Sequence, residues 1–379
     1  MPTPQECQQL KENLADLSSL GKEFDRLLTT ARPSPEASGG TALQSGKEED
    51  IQKLEELKQE MTSQKEELRE KLWPFPELPR TELEAQYNTQ IEILERTGLL
   101  SHLSGGELGI RLSSQEYPLP SFQDITRKLR EKREILKNKI SQGFTQLQIT
   151  PLLPINTFQQ TLGRLLIEHH NNHTLFKAKR DPSMPDEPLD LDVTNPVYVY
   201  DQFRDNPRLM YYIKSLDPDN HQGLTKDQLI TETQGFNIIL TEKEQFLPQE
   251  NENQIVNQGK PNQRKRIENN KTSIEYLNLQ SRDPQYQHES YLIIEDWLTQ
   301  FITHLEQTNQ VSNDWNDHNA TWLPGNYLPP TLEERRQNPG SLGRLPGGLW
   351  ARGDRKAWVA WGGPGDRNSF WGVSSSVRI

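Results

Sequence analysis

The chain has 379 residues, with 43 Lys and Arg against 54 Asp and Glu for a net charge of −11, and only 32% of its residues are hydrophobic. That is well below the apolar content of about 45–50%, glycine included, in an ordinary globular domain, so the length predicts two or three units, one of them thin or loop-rich, rather than one large core. A lack of any run of about 18 apolar residues, a charged start (Glu6, Lys11, Glu12, Asp16) and one cysteine, Cys7, argue against membrane insertion, a classical signal peptide, an intrachain disulfide and a Cys-based zinc or redox centre. The acidic balance argues against nucleic acid as a partner, and without a signal the default location is cytoplasmic.

From the start of the chain, Leu10, Leu14, Leu17, Phe24 and Leu28 share a helical face, and Ile51, Leu54, Met61, Leu68 and Leu72 take a and d positions of a second helix. The Pro, Ser and Gly content of Ala31 to Glu48 predicts a flexible linker, so residues 1–75 form a helical hairpin or a coiled-coil region. Lys58 and Lys65 at a positions favour the hairpin, and Trp73-Pro74-Phe75-Pro76 stops the helix. Residues 76–180 read as a further helical region, with helices from Thr81 to Thr97, Phe122 to Ile140 and Thr157 to about His173. The Pro- and Asp-rich Lys179 to Pro196 is the predicted junction to a C-terminal domain over 190–379. In that domain Pro196 to Phe203 and Gly235 to Leu240 read as short strands, and Ser290 to Asn309 as an amphipathic helix.

Several motifs fall short of the chemistry they suggest. Leu103 to Glu107 (LSGGE) looks like an ATP-binding-cassette signature, but the phosphate loop it needs is missing, since Gly46-Lys47 has Thr41 and Glu48 at the wrong positions, so it reads as a turn between helices. His169, His170 and His173 lack the glutamate of the zinc-protease pattern and read as a solvent-facing helix end. Asp217 to Gly223 puts glycine one position late for a calcium loop and reads as an Asx-rich turn. Lys260, Arg264, Lys265, Arg266 and Lys271 form a basic cluster without aromatic interleaving, which predicts a solvated loop. Arg352-Gly353-Asp354 is too short to carry weight.

The C-terminal stretch is a different material. Six of the eight tryptophans and ten of the 23 glycines follow residue 310, and Gly325 to Ile379 carries a net positive charge. Trp350, Arg352, Asp354, Arg355, Lys356, Trp358, Trp361, Asp366, Arg367, Asn368 and Phe370 crowd together there, in the composition of a binding surface. A small aromatic core explains the same residues, and both hold if alternate residues face in and out.

The ending Trp371-Gly372-Val373-Ser374-Ser375-Ser376-Val377-Arg378-Ile379 resembles the last strand of the C-type-lectin-like domains related to formylglycine-generating enzymes, including variable proteins of diversity-generating retroelements; Ser374 stands where that pattern has arginine. The stretch from about Tyr276 to Asn313 is similar to uncharacterised proteins of small-genome uncultivated bacteria with this ending. The resemblance implies a lectin-like C-terminal domain whose segment over about 349–371 varies through adenine mutagenesis on a fixed fold. It also argues against the oxidase chemistry of the enzyme branch, which needs C-terminal cysteines that this chain lacks.

The expectation is therefore an α+β protein, an N-terminal helical region followed by a C-type-lectin-like domain of short strands and helices. It binds a protein or glycan ligand, is not an enzyme, and uses no cofactor or metal; no oligomeric state follows. The alternatives are a helical scaffold or assembly protein with the C-terminal part as a folded cap, and an enzyme of unrecognised type.

Overall fold

The structure, a computed structural model, describes residues 15, 18–26, 44–71, 73–181, 183–243, 246–250, 255–256 and 263–379. It is a mixed α+β protein and divides into two compact units, Met1–Thr81 and Glu82–Ile379.

In the first unit residues 18–26 are helical and α1 spans Gln44–Lys71. The expected linker therefore ends before Gln44, and its remainder lies outside the described residues, as do Leu10, Leu14, Leu17, Leu28 and Leu72 of the proposed stripes. Along α1, Leu57 and Leu68 are buried, Leu54 and Met61 half-buried, and Lys58 and Lys65 exposed. After the helix, Trp73 meets Phe75 edge to face at 5.2 Å and donates its indole N–H to the Leu78 carbonyl at 2.7 Å, which closes the Pro-rich turn.

Helix α2 (Arg80–Arg96) belongs to the second unit from Glu82 on, and its buried stripe of Leu83, Tyr87, Ile93 and Leu94 follows the helical period. A small antiparallel sheet of β1 (Ser101–His102), β2 (Leu108–Leu112) and β3 (Gln115–Pro118) comes next. The LSGGE segment is thus a turn between strands, not between helices, with Gly106 at φ 89° supplying the left-handed residue. The helix expected over 122–140 is two, α3 (Phe122–Glu131) and α4 (Arg133–Ser141), separated at Lys132. Then β4 (Phe144–Pro151), α5 (Ile155–Asn171), β5 (Val197–Val199), β6 (Met210–Tyr211), α6 (Lys226–Thr233) and β7 (Phe236–Glu242) follow. After them come β8 (Ile255–Val256), β9 (Arg264–Lys265), α7 (Ser273–Arg282), β10 (Ser290–Tyr291), α8 (Ile294–Thr308), β11 (Ala320–Trp322) and β12 (Asn326–Tyr327). The chain closes with α9 (Leu332–Gln337), β13 (Leu345–Ala351), β14 (Lys356–Gly362), β15 (Trp371–Val373) and β16 (Ser375–Arg378). No helix of the described residues is long and apolar enough to cross a membrane.

Two sheets carry this unit. One is wholly antiparallel in the order β10-β16-β7-β4, with Val377 opposite Leu240 and Leu240 opposite Leu147. The other runs β15-β11-β13-β14-β5, with β15 parallel to β11 and β5 parallel to β14. The ending is therefore two strands, and the chain changes sheets at Ser374; Trp371, Val373 and Val377 are buried and Ile379 is half-buried. Helix α8 packs on α5, β4 and β13, and its Trp297, Leu298, Phe301, Ile302 and Leu305 are all fully buried.

The expected division at 180–190 is corrected by this topology. Strand β4, from the stretch read as helical, shares a sheet with β7 and β16. The Pro- and Asp-rich stretch is largely exposed, as a linker would be, but it is anchored to the unit: Pro188 bridges Phe176, and Leu189 and Leu191 are buried.

The basic cluster is also corrected. Arg264 and Arg266 are buried, not solvated, while Lys260 lies outside the described residues. Arg264 lies over the Phe144 and Tyr286 rings at 4.9 and 5.3 Å and donates to both oxygens of Glu289 at 2.8 and 2.7 Å. Arg264 and Arg266 also share Glu242, and Lys139 reaches Glu289 at 2.8 Å. Of the histidines, His169 is held between Thr174 and Glu306 at 3.1 and 3.0 Å, a tie that fixes α5 to α8.

Candidate ligand-binding surface

The segment carrying most of the candidate residues is the β13–β14 hairpin and the stretch that returns from it to β15. Its frame rests on adjacent glycines. A Cβ at Gly348 would lie under 3.0 Å from the indole of Trp297, and one at Gly347 equally close to that of Trp371, so the two rings press on adjacent backbone positions from opposite faces of the sheet. Trp371 stacks in turn on Trp322 at 4.2 Å and 20°.

Along β14, Ala357 and Val359 are buried while Trp358 and Ala360 are half-buried on the other face. Trp358 lies opposite Leu349 and Tyr198 in the two neighbouring strands, its ring 5.2 Å from that of Tyr198, and its indole N–H is buried without a hydrogen-bond partner.

Trp350 is corrected as a contact residue. It is 0% exposed, and its amide donates to the Asn313 carbonyl at 2.9 Å, so it offers no surface to a ligand. The central strand is covered on both faces, which defeats the alternation that would have turned either Leu349 or Trp350 outward.

Beyond Ala351 the chain turns. Arg355 takes a left-handed backbone at φ 56°, and Asp354 and Arg355 stand exposed. Their neighbours are tied down: Arg352 donates to the fully buried Asp314 at 2.6 and 3.2 Å, and Lys356 to Asp192 at 2.6 Å. Burial raises the Asp314 pKa above the ordinary carboxylate value, against the pull of Arg352. The Lys356 ammonium and the Thr194 hydroxyl hold the Asp192 carboxyl well below it.

Parallel pairing of β15 with β11 brings Phe370 to this same end of the sheet. Its ring stacks on Trp315 at 4.7 Å and 5° and on His318 at 4.0 Å and 22°. Trp361 lies at the opposite end, 50% exposed, 5.7 Å from the Tyr200 ring, with the Arg344 guanidinium 5.4 Å from its own. Between the two ends the return segment is pinned: Asp366 accepts from the Gly363 amide at 2.7 Å, Arg367 pairs with Glu275 and donates to the Asn270 carbonyl at 3.0 Å, and Asn368 accepts from the Phe370 amide at 2.8 Å.

The candidates thus form a turn patch of Arg352, Asp354, Arg355, Lys356 and Phe370, a separate patch around Trp361, and Trp358 on the strand between. Sequence reasoning missed Tyr198, Tyr200, Trp315, His318 and Arg344, which complete the two patches. The alternation Val197-Tyr198-Val199-Tyr200 was a usable signal for the tyrosines, since the valines are buried. Such a surface presents flat rings for stacking and fixed cations and carboxylates for orientation. Among the described residues no group of three His, Cys, Asp or Glu is placed to hold a metal ion. No protein family, curated protein or solved structure matches the chain.

Proposed function

We propose that the protein is a recognition protein whose C-terminal part is a C-type-lectin-like domain, and that the turn patch and the Trp361 patch bind a protein or glycan ligand. The observation that carries this is the division of labour within 349–371: Leu349, Trp350, Ala357, Val359 and Trp371 are buried in the frame, while Asp354, Arg355, Trp361, Asp366 and Arg367 are exposed on it. Recognition side chains on short segments held between rigid strands lose little freedom on binding, and changing them leaves the frame intact.

The same division supports the reading of this segment as diversified. The test is to sequence the locus and its flanks in many related cells. Substitutions should concentrate at the codons of Asp354, Arg355, Trp361, Asp366 and Arg367, spare those of Trp350, Val359 and Trp371, and accompany a neighbouring reverse transcriptase with a near-copy of the segment. Variation spread evenly over buried and exposed codons would defeat diversification. Recognition itself is tested by glycan-array and cell-surface binding of the chain beside a variant with Asp354, Arg355 and Trp361 changed to Ala; equal binding by both would defeat the surface.

A further inference from the structure

A cleft of about 400 Å³ opens where β16 and β10 meet α4 and α7, and it shares no residue with the recognition surface. Its floor is apolar, made by the buried Leu136, Leu277 and Val377, with the exposed Ile135 at its wall. Its charged groups are mostly cationic: Lys132, Lys214 and Arg378 line it. The lining carboxylate, Glu289, is buried and already held by Lys139 and Arg264.

Arg378 lies over the Tyr212 ring at 4.2 Å and pairs with Glu232 at 2.9 Å, whereas among the described residues no carboxylate lies within 4.0 Å of the Lys132 or Lys214 ammonium. The Lys132 ammonium instead donates to the Arg378 carbonyl at 3.3 Å. Two lining residues, Tyr212 at φ 51° and His288 at φ 67°, hold the left-handed backbone that bulky side chains rarely adopt.

We propose that this cleft is a binding site for a small organic anion: an acidic head group set against Lys132, Lys214 and Arg378, and an apolar body on the Leu136, Leu277 and Val377 floor. The volume lies in the range of about 300–1,000 Å³ that small-molecule sites occupy, and an apolar floor with a few convergent charges is their usual lining. Burial, with the charges of Arg378 and Lys128, pulls the Lys132 pKa below that of an ordinary lysine, more than Glu232 and Glu131 restore it. A bound anion relieves that excess of positive charge.

The test is a fluorescence titration of the full chain with anilinonaphthalene sulfonate, an apolar anion, at low ionic strength. One probe should bind per chain, and octanoate should displace it at concentrations where octanol does not. Lys132→Glu with Lys214→Glu should weaken binding about tenfold or more, since two attractive charges become repulsive. Ser281→Trp, which fills the cleft without changing its charge, should abolish binding too, with thermal melts showing that both variants remain folded. Probe binding unchanged in either variant, octanol competing as well as octanoate, or no saturable binding would overturn the proposal.

Discussion

The two sheets of the second unit are held together by opposite means. Behind and across the five-stranded sheet, Trp297, Trp371 and Trp322 lie on glycines of β13 and β14, and the constraint is one of shape. Around the four-stranded sheet it is one of charge. Arg264, Arg266 and Lys139 meet Glu242 and Glu289 at one end, and at the other Asp296 accepts from Asn237 at 2.9 Å while the buried Glu295 holds Tyr211 and Lys226 at 2.9 and 3.0 Å. Ionic interiors fail when a partner is removed, and shape-limited ones when volume is added. A shape-limited sheet is the better carrier for a rim of changing polar residues, because the tryptophans and glycines that hold it make no electrostatic demand on that rim; such demand is made at the Arg352–Asp314 and Lys356–Asp192 pairs.

The largest effect should follow from Glu289→Ala. It leaves Lys139 with only a carbonyl partner, Gln285, and leaves Arg264 dependent on Glu242, all inside the protein. Breaking a buried pair from one side costs about 3–5 kcal/mol, which denaturant melts would read as a lower midpoint at an unchanged slope. A loss near zero would mean that water reaches this end and that the contrast between the sheets is one of composition only.

The charged sheet should also respond to pH through two groups of opposite sign. Burial pushes the Asp296 carboxyl up to about 6 from its ordinary 3.8, so its contribution is present at low pH and lost as pH rises through that interval. Burial pulls the neighbouring helix residue His304 down to about 4 from 6.5, so its contribution is present above that value and lost as pH falls. Each spans on the order of 3 kcal/mol, and between pH 4 and 6 they nearly cancel. Asp296→Asn should therefore gain stability relative to the parent as pH rises from 4 to 6. His304→Gln should lose it over the same interval. Melts whose pH profile matches the parent's in both variants would remove these groups from the account.

On the shape-limited side, Gly348→Ala should cost about 3 kcal/mol, at the upper end for overpacking, because the ring it meets belongs to a fully buried tryptophan on the central helix. In the variant Trp297→Leu the same substitution should become much cheaper, a coupling that a double-mutant cycle measures. Additive effects would place the strain elsewhere.

Helices α2, α5 and α8 were legible because their apolar stripes repeat locally, and β5 and β7 because short β-branched runs sit between turn residues. Strand β4 was not. Its partner β7 lies far along the chain, and Pro151 at its end reads as a helix breaker rather than a strand terminus. Arg264 and Arg266 looked solvated for the same reason, since Glu242 and Glu289 are distant in sequence. At the candidate surface, residue types in a turn suggested exposure correctly for Asp354 and Arg355. They could not show that Arg352 and Lys356 reach back to Asp314 and Asp192, or that Trp350 is covered from both sides.

The smallest effect on stability is expected at the rim itself, and its contrast lies within one turn. Asp354→Ala and Arg355→Ala remove exposed side chains without a side-chain partner among the described residues, so each should change stability by no more than about 0.5 kcal/mol. At Arg355 the left-handed backbone makes glycine, not alanine, the gentler replacement. Arg352→Ala should instead cost about 1–3 kcal/mol, since it strips the two donors from a carboxylate that has no access to water. Adding Asp314→Asn, which keeps the acceptor for the Asn316 amide but removes the buried charge, should recover part of that loss. If all three single variants melt alike, the Arg352–Asp314 pair adds nothing to the frame, and Arg352 serves the recognition surface alone.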